Sequence, residues 1–282
     1  MYLPESLPSA RVLVTVKTYP LPSSKYGELV CTAGLLESGK WIRIYPIPLT
    51  FLTNDKKYPK YSWIELDLTR RTSDFRPESY SPLKGIDEQI RVVGKLSTAN
   101  KWAARRQYVL KEVHTSMKEL ISQAKQKGPE TKSLATLKPL RIVDLVIEEK
   151  EREWKDKWLA QTKQGNIFEL DAKGQGRQRT PVRALPYKYS YRFLTEGDTK
   201  PRKLKIDDWE IGALFWNCLT RADGNEAAAN EMVRQKYLDE FGQTKDIYFF
   251  LGTTRKNHYV SRNPFVIIGV FYPPKTDQLS LL

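Results

Sequence analysis

The stretch LPYKYSYRFL, residues 185–194, leaves its backbone little choice. Tyr187, Tyr189, Tyr191 and Phe193 alternate with Lys188, Ser190 and Arg192. A strict period of two places the rings on one face of a β-strand and the cations on the other. Such a strand needs sheet neighbours. Two uses are open to its ring face. The rings can pack in a core while the cations stand in solvent, or they can stack bases while the cations neutralise phosphates.

The N-terminal part repeats the strand signal. ARVLVTVKTYP, ELVCTAGLL, KWIRIYPI and YSWIELDL are rich in β-branched and aromatic residues; Pro20 stops the first, and Gly39 turns the chain between the second and third. In the fourth run Ile64, Leu66 and Leu68 share one face, the pattern of a small antiparallel sheet or a partly open barrel. From Thr98 the period lengthens. Trp102, Leu110, Val113, Met117, Leu120 and Ala124 recur at helical steps, with Arg105, Arg106, Lys118 and Lys125 on the other face. Gly128-Pro129 supplies a stop, so a long basic helix is expected over 98–127. PLRIVDLVIEEK then reads as a buried strand. Beyond the Gly- and Arg-rich DAKGQGRQRTPVR, two helices begin at Asp207 and Asp223, each followed three residues later by Glu in capping-box spacing. The chain closes on a hairpin, YFFLG to VFYPP. The expected class is α+β: a β-rich N-terminal unit with the basic helix over 1–170, then a basic α+β unit over 171–282 with a terminal β-hairpin.

Charge narrows the function. The formal net charge is +14, a balance that favours polyanions. Residues 173–205 hold ten Lys and Arg against Glu196 and Asp198, so more than half of the net charge falls in one stretch. Arg177, Arg179, Arg183, Lys188, Arg192, Arg202 and Lys203 are candidate phosphate contacts, with Tyr187 and Tyr189 as candidate stacking residues. A second cluster lies on the hairpin connection, residues 253–263, where Arg255, Lys256 and Arg262 accompany His258 and Tyr259 without any acid. His258 and Tyr259 are suited to stacking on a base or hydrogen-bonding it. This strand–loop–strand module loosely resembles those of PUA-type domains, and the likeness implies RNA or a modified base as ligand. The expected partner is nucleic acid, DNA or RNA. An acidic protein docking on the same face is the alternative.

Other classes are disfavoured. No apolar run approaches eighteen residues and the N-terminus lacks a basic-then-apolar leader, so no membrane partner and a cytoplasmic location are expected. Cys31 and Cys218 sit in apolar contexts and read as free thiols. With only His114 and His258, neither a His-rich metal site nor a resident cofactor is expected. The one enzymatic alternative is a Mg²⁺-dependent nuclease built on Asp144, Glu148 and Lys150, because carboxylates at a strand end can hold Mg²⁺ beside a Lys that orients water.

Overall fold

The computed structural model describes residues 3–23, 27–47, 57–83, 90–154 and 183–276. Its N-terminal strands are β1 (Ser6–Lys17), β2 (Leu21–Ser23), β3 (Gly27–Leu36), β4 (Trp41–Ile47), β5 (Ser62–Arg70), β6 (Ser79–Pro82) and β7 (Arg91–Lys95). β1 pairs with β3 through its second half and with β5 through its first half, both antiparallel. β3 continues to β4, β4 pairs in parallel with β6, and β6 returns to β5. The ring β1-β3-β4-β6-β5 therefore closes on itself, giving a complete five-stranded barrel. Alternation fills its interior with Val12, Val14, Ile42, Ile44, Ile64 and Leu66. Closure brings β1 and β3 very near at Gly34, where a Cβ would stand 2.3 Å from the Leu13 carbonyl oxygen; only glycine fits there.

The expected long helix is two helices. α1 (Ala99–Val109) and α2 (Met117–Lys125) are separated by an extended segment. In that segment His114 exchanges backbone hydrogen bonds with Thr136 and Lys138, at 2.9 and 2.8 Å. The break has a legible cause: Ser116 caps α2 by accepting from Glu119 N, a Ser-x-x-Glu start signal lying inside the apolar period. Most of the expected basic face also turns inward. Arg105 is buried with its guanidinium 4.1 Å from the Tyr61 ring, and Arg106 pairs with Asp246 at 2.9 Å.

The remaining strands are β8 (Leu134–Leu137), β9 (Arg141–Glu149), β10 (Tyr187–Leu194), β11 (Arg202–Lys205), β12 (Tyr248–Thr253) and β13 (Phe265–Phe271). They form two three-stranded sheets, β11-β10-β9 and β13-β12-β8. β9, which the sequence grouped with the N-terminal unit, pairs along its length with β10. A parallel bridge between Ile206 and Ile267 joins the sheets. One shared face is covered by α2, α3 (Trp209–Arg221) and α4 (Glu226–Arg234), the last continuing as a π-helix over Gln235–Thr244. The caps of α3 and α4 are Asp208 and Asn225, accepting from Glu210 N and Ala228 N, one and two residues later than the spacing predicts.

The opposite face is divided. Over β12 and β13 it meets the barrel: Phe250, Ile268 and Phe271 pack on Leu13, Val16 and Trp41, with the Trp41 and Phe250 rings edge to face at 5.2 Å. Two polar ties lock this seam. Lys60 Nζ reaches Asp208 at 2.8 Å and Glu210 at 3.0 Å, and the buried Arg43 donates to Ser79 and Ser133 hydroxyls at 3.1 and 3.0 Å. Over β9, β10 and β11 the same face carries, among the described residues, mostly charged side chains around Ser190 and Val146.

Candidate nucleic-acid interface

β10 resolves the two uses of the ring face. Tyr187, Tyr189, Tyr191 and Phe193 are all buried under α3 and α4. Their hydroxyls are engaged there: Tyr187 with Glu226, Tyr189 with Asn230, Tyr191 with the Tyr237 carbonyl. Tyr187 and Tyr189 are core residues, and the expectation that they stack bases is corrected. Burial of four rings outweighs any gain from exposing them.

Among the described residues the cation face is the open one. Arg192 lies directly opposite Lys203 across the β10–β11 ladder, and Ser190 opposite Lys205. Lys188 and Lys203 both reach Glu148, at 2.9 and 2.8 Å, and their hydrogen bonds hold the Glu148 carboxyl below its ordinary pKa, Lys203 first. Lys205 pairs with Asp207 and Arg234 with Asp144, each at 2.9 Å. Arg192 is exposed and has no ion-pair partner among the described residues.

Other predicted contacts are already engaged. Arg202 holds Asp198 at 2.5 Å in the turn after β10, and Asp198 in turn accepts from Thr195 N and Oγ1; this pair builds the turn. Arg183 lies 4.0 Å over the Trp216 ring, beside a cavity of about 330 Å³ that Arg152 and Glu226 also line. Arg177 and Arg179 lie outside the described residues. In the nuclease alternative, Glu148 is clamped by two lysines and Asp144 by Arg234, while Lys150 N donates to the Pro186 carbonyl at 2.9 Å. Among the described residues no group of three His, Cys, Asp or Glu converges as a metal site. Cys31 and Cys218 are free thiols, and among the described residues no helix is long and apolar enough to cross a membrane.

The hairpin connection is a built structure. His258 is fully buried, and its neighbours define its tautomer. Thr131 Oγ1 donates its one proton to the Ala124 carbonyl, so it accepts from His258 Nε2–H at 2.9 Å. Nδ1 then accepts from Thr253 Oγ1 at 2.7 Å. Burial lowers the His258 pKa, consistent with a neutral ring; His258 is a strut and not a base-reading group. Lys125 Nζ ties the loop from below, donating to the carbonyls of His258, Tyr259 and Ser261 at 3.0, 3.0 and 2.6 Å. Above this base Arg255, Lys256 and Arg262 are exposed, with no ion-pair partner among the described residues.

The loop between β5 and β6 leans on this connection. Arg76 is buried, donates to the Thr253 carbonyl at 2.5 Å and pairs with Asp74 at 2.6 Å. Burial alone would raise the Asp74 pKa; the bonds from Arg76 overcome it and hold it at about 2. Phe75, between them, stacks on Tyr259 at 4.9 Å and 25°. The sequence reading passed over Phe75. Its only local signal is an aromatic residue inside a charged, Pro-containing loop, DFRPES.

The two basic regions share an end of the fold. Since the Ile206–Ile267 bridge is parallel, the N-terminal end of β11, with Arg202 and Lys203, runs beside the N-terminal end of β13, where the connection enters the sheet. Two family models match the chain. Residues 8–111, the barrel with α1, match "Domain of unknown function (DUF8758)". Residues 113–282, more than half of the chain, match "Domain of unknown function (DUF8757)". The chain belongs to the DUF8757 family. No curated protein matches it. The DUF8757 segment contains both basic regions, and it meets the DUF8758 segment at the Trp41–Phe250 seam.

Proposed function

We propose that the protein binds nucleic acid, with phosphates held on the open face of β9–β11 and on the β12–β13 connection. One observation carries the reading: Arg192 and Lys203 stand directly opposite each other on a sheet face that no other described element covers. Lys203 is shared with Glu148, and Arg192 also faces Asp144, which Arg234 already holds. Lys188, Arg192, Lys203, Lys205 and Arg234 thus stand against Asp144, Glu148 and Asp207, and a phosphate takes up the excess of cations. The three exposed cations of the connection extend the positive surface. The barrel supports the assignment by what it cannot do. In five-stranded barrels of the OB type, oligonucleotides take the face of the second and third strands and the loops after the first and fourth. Here the second and third strands of the ring are β3 and β4, and Ala33, Leu35 and Trp41 on their outer face are sealed against the C-terminal sheet. The loop after β5, the fourth barrel strand in chain order, carries Phe75 and stays at the surface beside the connection.

The test is fluorescence anisotropy with labelled DNA and RNA oligonucleotides over a salt series. Counterion release predicts a log–log slope of roughly −0.7 to −0.9 per phosphate neutralised, and the double variant R192E/K203E should lower both affinity and slope by about two phosphates. Absence of binding to either polymer at low salt overturns the reading.

A further inference from the structure

Resting on that reading, we infer that the Phe75–Tyr259 ring pair is a base-stacking platform that makes single-stranded nucleic acid the substrate of the β12–β13 connection. The two rings are 44% and 40% exposed, and the neighbouring Val260 is 84% exposed. They come from separate segments, the β5–β6 loop and the hairpin connection, and meet in a stacked geometry on the protein surface. Their exposure is imposed from below. Asp74 and Arg76 pin the backbone on either side of Phe75, and Lys125 and His258 pin Tyr259 and the residues beside it. Two apolar rings are thereby held rigidly in water, with their positions set before any ligand arrives.

The surroundings select the occupant. Arg255, Lys256 and Arg262 stand on the same connection, which has no acid between residues 253 and 263. A second copy would bring like charges together, whereas a phosphodiester strand brings a planar base for the rings and anions for the cations. Base stacking on protein aromatics is sequence-tolerant, because every base has a π-face, and it needs an unpaired, unstacked base. A duplex satisfies the cations but keeps its bases in its own stack.

The experiment uses the full chain and three probes: a 12-mer single strand, the matched 12-base-pair duplex and poly-L-glutamate, a polyanion without bases. The wild type should prefer the single strand. Phe75→Ala and Tyr259→Ala should each weaken single-strand binding by roughly five- to a hundredfold and leave duplex and polyglutamate binding unchanged. Tyr259→Trp should keep the preference, and circular dichroism should show every variant folded. Equal affinity for single strand and duplex, or a ratio unmoved by both ring variants, overturns the platform while the phosphate reading stands. Equal loss of polyglutamate binding in the ring variants assigns the patch to an acidic protein and also overturns it. If neither nucleic acid binds, the broader reading falls first.

Discussion

Truncating Phe250 tests the seam on which the site's geometry depends. The side chain is fully buried, meets Trp41 edge to face at 5.2 Å and lies 6.2 Å from the Phe271 ring. Phe→Ala in a packed core costs about 3–5 kcal/mol, the sum of lost transfer energy and an unfilled cavity. The aromatic contacts, at about 0.5–1.5 kcal/mol each, are contained in that figure. Against a typical total of about 5–15 kcal/mol, the loss is a large fraction. For a chain of this size each kcal/mol lowers Tm by about 2–4 °C, so Phe250→Ala should melt on the order of 10 °C below the wild type. The same variant should open the barrel–sheet seam first, with protease cleavage between the DUF8758 and DUF8757 segments preceding global unfolding. Calorimetry and timed proteolysis read both quantities. A fall in Tm of less than about 2 °C, with no change in cleavage, would refute the claim that this sheet seals the outer barrel face.

Arg76→Met removes the cation from a buried pair and leaves Asp74 uncompensated, a loss of about 3–5 kcal/mol; denaturant unfolding should show it, together with faster tryptic cleavage after Arg255 and Lys256. Acid should weaken the connection through His258. Its folded pKa lies below the ordinary 6.5 because of burial, so the unfolded chain takes up the proton first. The stabilisation is complete above pH 6.5 and is lost as pH falls through the lowered folded value; His258→Asn should lack that part of the Tm–pH slope, and identical slopes would contradict the assignment. Glu148→Gln releases Lys188 and Lys203 from their shared carboxylate, so oligonucleotide affinity should rise several-fold and the salt slope steepen by about one phosphate. Weaker binding in that variant would mean that Glu148 positions the two lysines instead of masking them.

Several elements were legible from local pattern. The period of two placed β1, β5 and β10, because alternation reports one buried face whatever lies against it, and β-branched and aromatic content with the Gly39 turn placed β3 and β4. Ala229, Val233, Tyr237 and Phe241 fall every four residues in the sequence, the spacing of one helix face, and all four are buried. The Ser116-x-x-Glu119 signal was present and was overridden by the apolar period, which is why two short helices were read as one. Which face of β10 is buried could not be told from alternation, since rings that stack bases and rings that fill a core obey the same period.

By itself, then, the sequence determined the longer strands, the two C-terminal helices, the two free thiols and the clustering of positive charge, all of which follow from residue type and local spacing. The short strands β2, β6, β7, β8 and β11 came only with the fold. Tertiary structure decided which charges remain available. Arg202, Arg105 and Arg106 were drawn into ion pairs or onto rings by partners far away in the chain or across a turn, and Arg192, Arg255, Lys256 and Arg262 were left exposed. It also decided the aromatic surface formed by Phe75 and Tyr259. Phe75 and Tyr259 are separated by most of the chain and become neighbours only because barrel closure and the Arg76–Thr253 bond carry their two loops to the same place. Pairing at that separation is set by packing, which local spacing does not encode. The hairpin connection, legible in the sequence as a basic cluster with His258 and Tyr259, is joined in the fold by Phe75 from the barrel.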